Sequence, residues 1–125
     1  MIYGVVNEFM EATVELGLLA SDNQVKMIEA VVDTGFSGFL TLPTDVVRSL
    51  NLEWSGSAEA ILADGKSQRF ETYLATVLWD GQEVEVEIDA ADVKPLVGMN
   101  LIQGFLLQIH AVESGKVQLT PMTLP

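Results

Sequence analysis

The stretch YLATVLWDGQEVEVEID, residues 73 to 89, narrows the choice of fold more than any other part of the chain. Beyond Asp80-Gly81, Val84, Val86 and Ile88 alternate with Glu83, Glu85, Glu87 and Asp89. A period of two puts the apolar residues on one face and the acids on the other, the pattern of a half-buried strand, so the acid row reads as a wetted sheet face rather than a cation site. An Asp-Gly pair between two extended runs predicts a tight hairpin, because the turn needs positive φ and glycine adopts it without steric penalty. The same device recurs at Asp64-Gly65 in AEAILADGKSQRFETYL, and the polar SDNQ between ATVELGLLA and VKMIEAVV predicts a further hairpin.

Two helical pieces interrupt the strands. In LPTDVVRSLNL, Pro43 stands where a first helical turn tolerates it, Val46, Val47 and Leu50 fall at helical spacing, and Asn51 supplies a stop. GMNLIQGF suits a shorter helix, followed by the strands LLQIHAV and KVQLTPM joined through Ser114-Gly115. With no repeat, low-complexity tract or linker, the expectation is one all-β domain over residues 1–125 with two short helices, its sheets wrapping toward a closed barrel. A chain of 125 residues with 49% apolar content can bury a sizeable core without a covalent staple.

Composition removes several classes of function. No cysteine is present, which excludes disulfides, thiolate metal sites and a cysteine nucleophile. The formal charge of −12 rests on 18 acids against 6 scattered bases, a poor match for nucleic acid, which needs a positive stripe. The N-terminal run MIYGVVNEFMEATVELGLLA has no basic first segment and carries Glu8, Glu11 and Glu15, so neither a signal peptide nor a membrane span is expected and a cytoplasmic setting is the default. His110, the one imidazole, lies in an apolar strand context and reads as a satisfied structural histidine. There is no GxSxG elbow, no phosphate-cradling loop and no calcium-loop pattern, and neither a metal nor a cofactor is expected.

What remains is Asp33. EAVVDTG carries an apolar run, read as a buried strand, straight into a carboxylate and then into Thr34 and Gly35. A DTG at a strand end is an ordinary turn when taken alone. About sixty residues later VKPLVGMNLI supplies two apolar residues, Gly98 and the start of a helix, with the Asp64-Gly65 hairpin between the two elements.

In this order and spacing the chain, from about Thr13 to Leu119, resembles the retropepsin-like aspartic proteases of the bacterial single-domain type. The resemblance implies a catalytic loop at Asp33-Thr34-Gly35, a flap at the hairpin 62–68, and Leu96-Val97-Gly98 threading beside the catalytic loop. It implies that Asp33 is catalytic and that Thr34 and Gly35 support its loop. Phe36, Ser37, Leu62, Ala63, Asp64, Gly65, Val97 and Gly98 would then contact a peptide or protein substrate. Metal-free peptide hydrolysis needs one carboxylate to take a proton from water and another to give one to the carbonyl oxygen. One chain has one DTG, and Asp64 and Asp80 look like turn acids, so the second acid is expected from a second copy in a two-fold homodimer.

The chain departs from the family pattern at several places. Phe36 replaces the usual small residue, and Ser37 and Met99 stand where retroviral members carry a paired Asp and Arg. The flap has no run of glycines, the helix after Leu42 is more like that of bacterial and cellular members, and residues 1–12 are an extension that would extend a sheet at the dimer interface or cover an edge. Three readings follow: an aspartic endopeptidase, a non-catalytic dimeric peptide-binding module with Phe36 filling the site, and a structural β domain whose DTG is a plain turn.

Overall fold

The computed structural model describes residues 1–61 and 63–123. In chain order the elements are β1 Ile2–Val6, β2 Ala12–Leu19, β3 Val25–Val32, β4 Leu40–Leu42, α1 Thr44–Leu50, β5 Glu53–Ile61, β6 Ser67–Trp79, β7 Gln82–Ala90, β8 Leu96–Val97, α2 Met99–Ile102, β9 Phe105–Ile109 and β10 Lys116–Pro121. The chain is therefore mainly β with two short helices.

The local signals produce the elements they predict, with one change of turn. At Asp80-Gly81, Trp79 faces Gln82 in register and the two turn residues have φ of +52° and +77°, a two-residue hairpin of the left-handed kind. At Asp64-Gly65 the expected tight turn is instead a longer loop, because Ile61 faces Ser67 and residues 62–66 lie between them. Asp64 closes that loop by accepting the Lys66 N–H at 2.9 Å, and Gly65 takes φ of +83°. In α1 the carbonyl of Pro43 accepts the Val47 N–H at 3.1 Å, and Asn51 ends the helix in the left-handed region at φ of +51°.

All strands among the described residues join one sheet in the order β5-β6-β7-β4-β8-β3-β2-β1-β10-β9, and β2 pairs again with β6. That second pairing closes a circuit from β2 through β3, β8, β4, β7 and β6 back to β2. Leu16, Leu18, Leu40, Val77, Ile88 and Val97 are fully buried. β2 is almost continuously buried, and both its edges are paired, Gly17 standing opposite Met27 of β3 and Leu78 of β6. β1 lies between β2 and β10 with Ile2 and Val6 buried, so the first residues cover a sheet edge.

Two expectations are corrected. β3 is not a buried strand: Ala30 alone is buried, Val31 and Val32 are half-exposed, and Val25 and Met27 are exposed. His110 is not tucked into an apolar strand but is exposed just past β9, where its backbone N–H donates to the Lys116 carbonyl. Trp79 is a core residue packed edge-on against Phe105, whereas Trp54 is largely exposed and donates its Nε1–H to Glu71 at 2.7 Å. Among the described residues no helix is long and apolar enough to cross a membrane.

Candidate active site

β3 and β8 run parallel, Val31 opposite Leu96 and Val32 opposite Val97. Their pairing carries straight into the DTG loop, since the Val31 N–H donates to the Pro95 carbonyl and the Asp33 N–H to the Val97 carbonyl, each at 2.9 Å. The chain then turns on itself, with the Phe36 N–H donating to the Asp33 carbonyl at 3.1 Å and the Gly35 N–H to Asp33 Oδ1 at 2.9 Å. A second set of bonds locks the far side of the loop to the start of α2. The Phe36 carbonyl accepts the Met99 N–H at 2.7 Å, the Gly38 carbonyl accepts the Asn100 N–H at 3.1 Å, and the Gly98 N–H donates to the Phe39 carbonyl at 3.0 Å.

This crossing explains Gly98. A Cβ there would run into the Gly38 carbonyl oxygen, and it would lie 2.6 Å from Phe36 Cδ2 and 2.8 Å from the Phe36 carbonyl oxygen. The position that a Gly35 Cβ would take has, among the described residues, only Asp33 Oδ1 within 4 Å, at 3.3 Å, so that face of the loop is open.

Asp33 is half-buried, while Thr34 and Gly35 are exposed. Asp33 and Thr34 line a groove of about 530 Å³ with Val31, Val32, Leu96, Met10, Ile109 and Ala111 among its walls. Among the described residues no donor reaches the second oxygen of Asp33. Glu11 is the other acid of the groove, and it is engaged: Lys94 Nζ donates to both its oxygens at 2.7 and 2.8 Å, and Asn7 Nδ2 donates at 3.0 Å. The Lys94 bond first, and the Asn7 bond second, hold Glu11 below the usual carboxylate range. Within one chain the groove thus presents a single carboxylate with an oxygen left for water. No three of Asp, Glu and His among the described residues come together as they would to hold a metal ion.

Phe36 and Ser37 line a different cavity, of about 410 Å³. The Phe36 ring sits over Gly38 and Gly98, since Cβ atoms at those positions would fall 2.6 Å from its ring carbons. Ala58, Ala60 and Phe70 of the β5–β6 hairpin contribute to its walls, so the hairpin arms face the loop across this space. Ala63, Asp64 and Gly65 are exposed at the hairpin end and line neither cavity, and Leu62 lies outside the described residues. Val97 is fully buried and contributes its carbonyl to Asp33 rather than a side chain to either cavity.

Leu96 lines both cavities; the resemblance puts it beside the catalytic loop without naming it among the substrate contacts, and strand alternation signals that role, since where Val97 points inward its neighbour points out. Asp89 departs from the wetted acid row with which it alternates: it lines the second cavity, and burial first and Glu87 second raise its pKa above the usual aspartate range.

No protein-family model matches the chain, and no curated protein matches it. Among solved structures it is similar to the crystal structure of a retropepsin-like aspartic protease from Rickettsia conorii. The TM-score is 0.59 at 16% identity, over 94% of this chain and 86% of that one. At that identity the likeness is one of fold.

Proposed function

We propose that the chain is an aspartic endopeptidase that works as a two-fold homodimer, each copy supplying Asp33 to a shared catalytic pair. The observation that carries this reading is a half-exposed Asp33 carboxylate on a loop pinned to β8, in a fold like that of a retropepsin-like aspartic protease. Half-exposed Val31 and Val32 beside Asp33 add support, because a second copy seated on the groove would cover them. The closed strand circuit is read as the acid-protease barrel over one domain.

Two carboxyls about 3 Å apart do not both ionise, so the pair holds one proton between them. The ionised Asp33 takes a proton from a water that attacks the peptide carbonyl carbon, while the protonated one gives its proton to the carbonyl oxygen. Collapse of the tetrahedral intermediate breaks the C–N bond: the Asp33 that took water's proton gives it to the departing nitrogen, and the other Asp33 takes back a hydroxyl proton as the carboxyl product forms, which restores the pair with one shared proton. Thr34, exposed on the loop, serves the contact between copies; Gly35 leaves its open face to the substrate backbone. Phe36, Ser37 and Gly98 shape the space beside the peptide, and the hairpin with Ala63, Asp64 and Gly65 closes over it and excludes water. The absence of charge at both Ser37 and Met99 leaves no ion orphaned at the interface. Against the non-catalytic module stands the position of Phe36, whose ring rests on Gly38 and Gly98 beside the neighbouring cavity rather than in the groove of Asp33.

The test is cleavage of an unfolded protein or a peptide library at mildly acid pH by the chain and by Asp33→Asn. The expected loss of rate is at least on the order of 10²- to 10⁴-fold with the dimer mass unchanged. An Asp33→Asn protein that cuts as well as the parent would overturn the assignment.

A further inference from the structure

The second cavity combines walls suited to a long apolar stem with a carboxylate suited to a charge. Phe36, Phe70, Leu96, Ala58 and Ala60 give it apolar sides, and Asp89 is also part of its lining. Asp89 stands in register between Thr41 of β4 and Thr72 of β6, both buried, and is itself only half-exposed. Among the described residues no side-chain or backbone donor reaches its carboxylate, and no cation pairs with it. The remaining acids of its row, Glu83, Glu85 and Glu87, are exposed. Glu59, also at this cavity, is exposed, and Arg69 opposite it in register bonds Ser57 and approaches Glu71 instead.

A half-buried carboxylate with no donor is unfavourable, and a cation brought into the cavity removes that penalty. Lysine and arginine have the matching shape, with methylenes that pack on apolar walls and a charged tip that seeks an acceptor. Burial first, and Glu87 second, raise the Asp89 pKa above the usual aspartate range, the direction expected of a carboxyl partly withdrawn from solvent with no donor beside it.

We propose that Asp89 makes this cavity a pocket for a lysine or arginine side chain of the bound peptide. The pocket rests on the endopeptidase reading for its role in selecting substrates, but peptide binding alone can reveal it. The experiment uses a library of octapeptides with lysine, arginine, norleucine or glutamate placed at each position in turn. Binding is measured to the full chain carrying Asp33→Asn, with and without Asp89→Asn or Asp89→Glu, and cleavage is measured in parallel with Asp33 intact.

At one peptide position lysine and arginine should bind roughly tenfold more tightly than norleucine, which has a similar stem and no charge. Asp89→Asn should bring that ratio close to one, and Asp89→Glu should keep most of it. Melting curves establish that each variant is folded. A ratio unchanged by Asp89→Asn, or norleucine binding as well as lysine at every position, would overturn the pocket. Absence of cleavage by the parent chain with the binding ratio intact would overturn the enzyme reading and leave the pocket standing.

Discussion

Gly98 and Asp89 show how single residues govern the candidate site. Gly98→Ala places a methyl against the Gly38 carbonyl and the Phe36 ring where the two loops cross. Overpacking of this kind costs about 1–3 kcal/mol, and here it also displaces the loop that holds Asp33, so melting temperature and cleavage rate are expected to fall together. A stable, fully active Gly98→Ala protein would show that the crossing is not needed. Asp89 behaves in the opposite sense. Its folded-state pKa is raised above the unfolded value, so the stability it contributes is present below the ordinary aspartate value of about 3.8 and is lost as pH rises through the raised value. Asp89→Asn is therefore expected to raise the melting temperature at neutral pH, with the gain shrinking as the solution is acidified toward pH 3.8. Asp33 was legible because an acid in an apolar run stands out against its neighbours, whereas Asp89 was hidden in an alternation that explained it without any cavity.

At the scale of elements, the hairpins and helices follow from local chemistry. Asp80-Gly81 turns in two residues because both positions take left-handed backbone, and Asn51 ends α1 for the same reason. The Asp64-Gly65 loop came out longer because turn length depends on strand register, which the dipeptide alone does not specify. One tie between elements is open to test. Glu11, in the β1–β2 connection, pairs with Lys94, just before β8, and so joins the two segments that frame the Asp33 groove. Because Lys94 and Asn7 hold the Glu11 pKa below its unfolded value, the stabilisation is present above the unfolded value and fades as pH falls through the depressed one. Glu11→Gln should lower the melting temperature at neutral pH and have little effect in strong acid; an equal effect at both pH values would point to lost packing instead.

Over the whole molecule, the pairings that create the site join distant parts of the chain. β3 meets β8, β4 meets β7, and β2 returns to β6, and no local pattern in VKMIEAVV or PLVG states which strand will lie beside which. The order of DTG, hairpin and LVG was readable as a family resemblance, and the fold agrees with it. The half-exposure of β3 was not readable, because Val31 and Val32 look like core residues in sequence and stay partly open beside Asp33 in one chain. Completion of the site by a second copy is thus the central claim, and subunit mixing tests it most directly. Parent chain and Asp33→Asn chain are refolded together in varied proportion at constant total concentration, and cleavage is followed. If each site needs Asp33 from two copies, activity follows the square of the parent fraction, so an equal mixture retains about one quarter of the full rate. Activity that follows the parent fraction linearly, with about one half remaining, would contradict it.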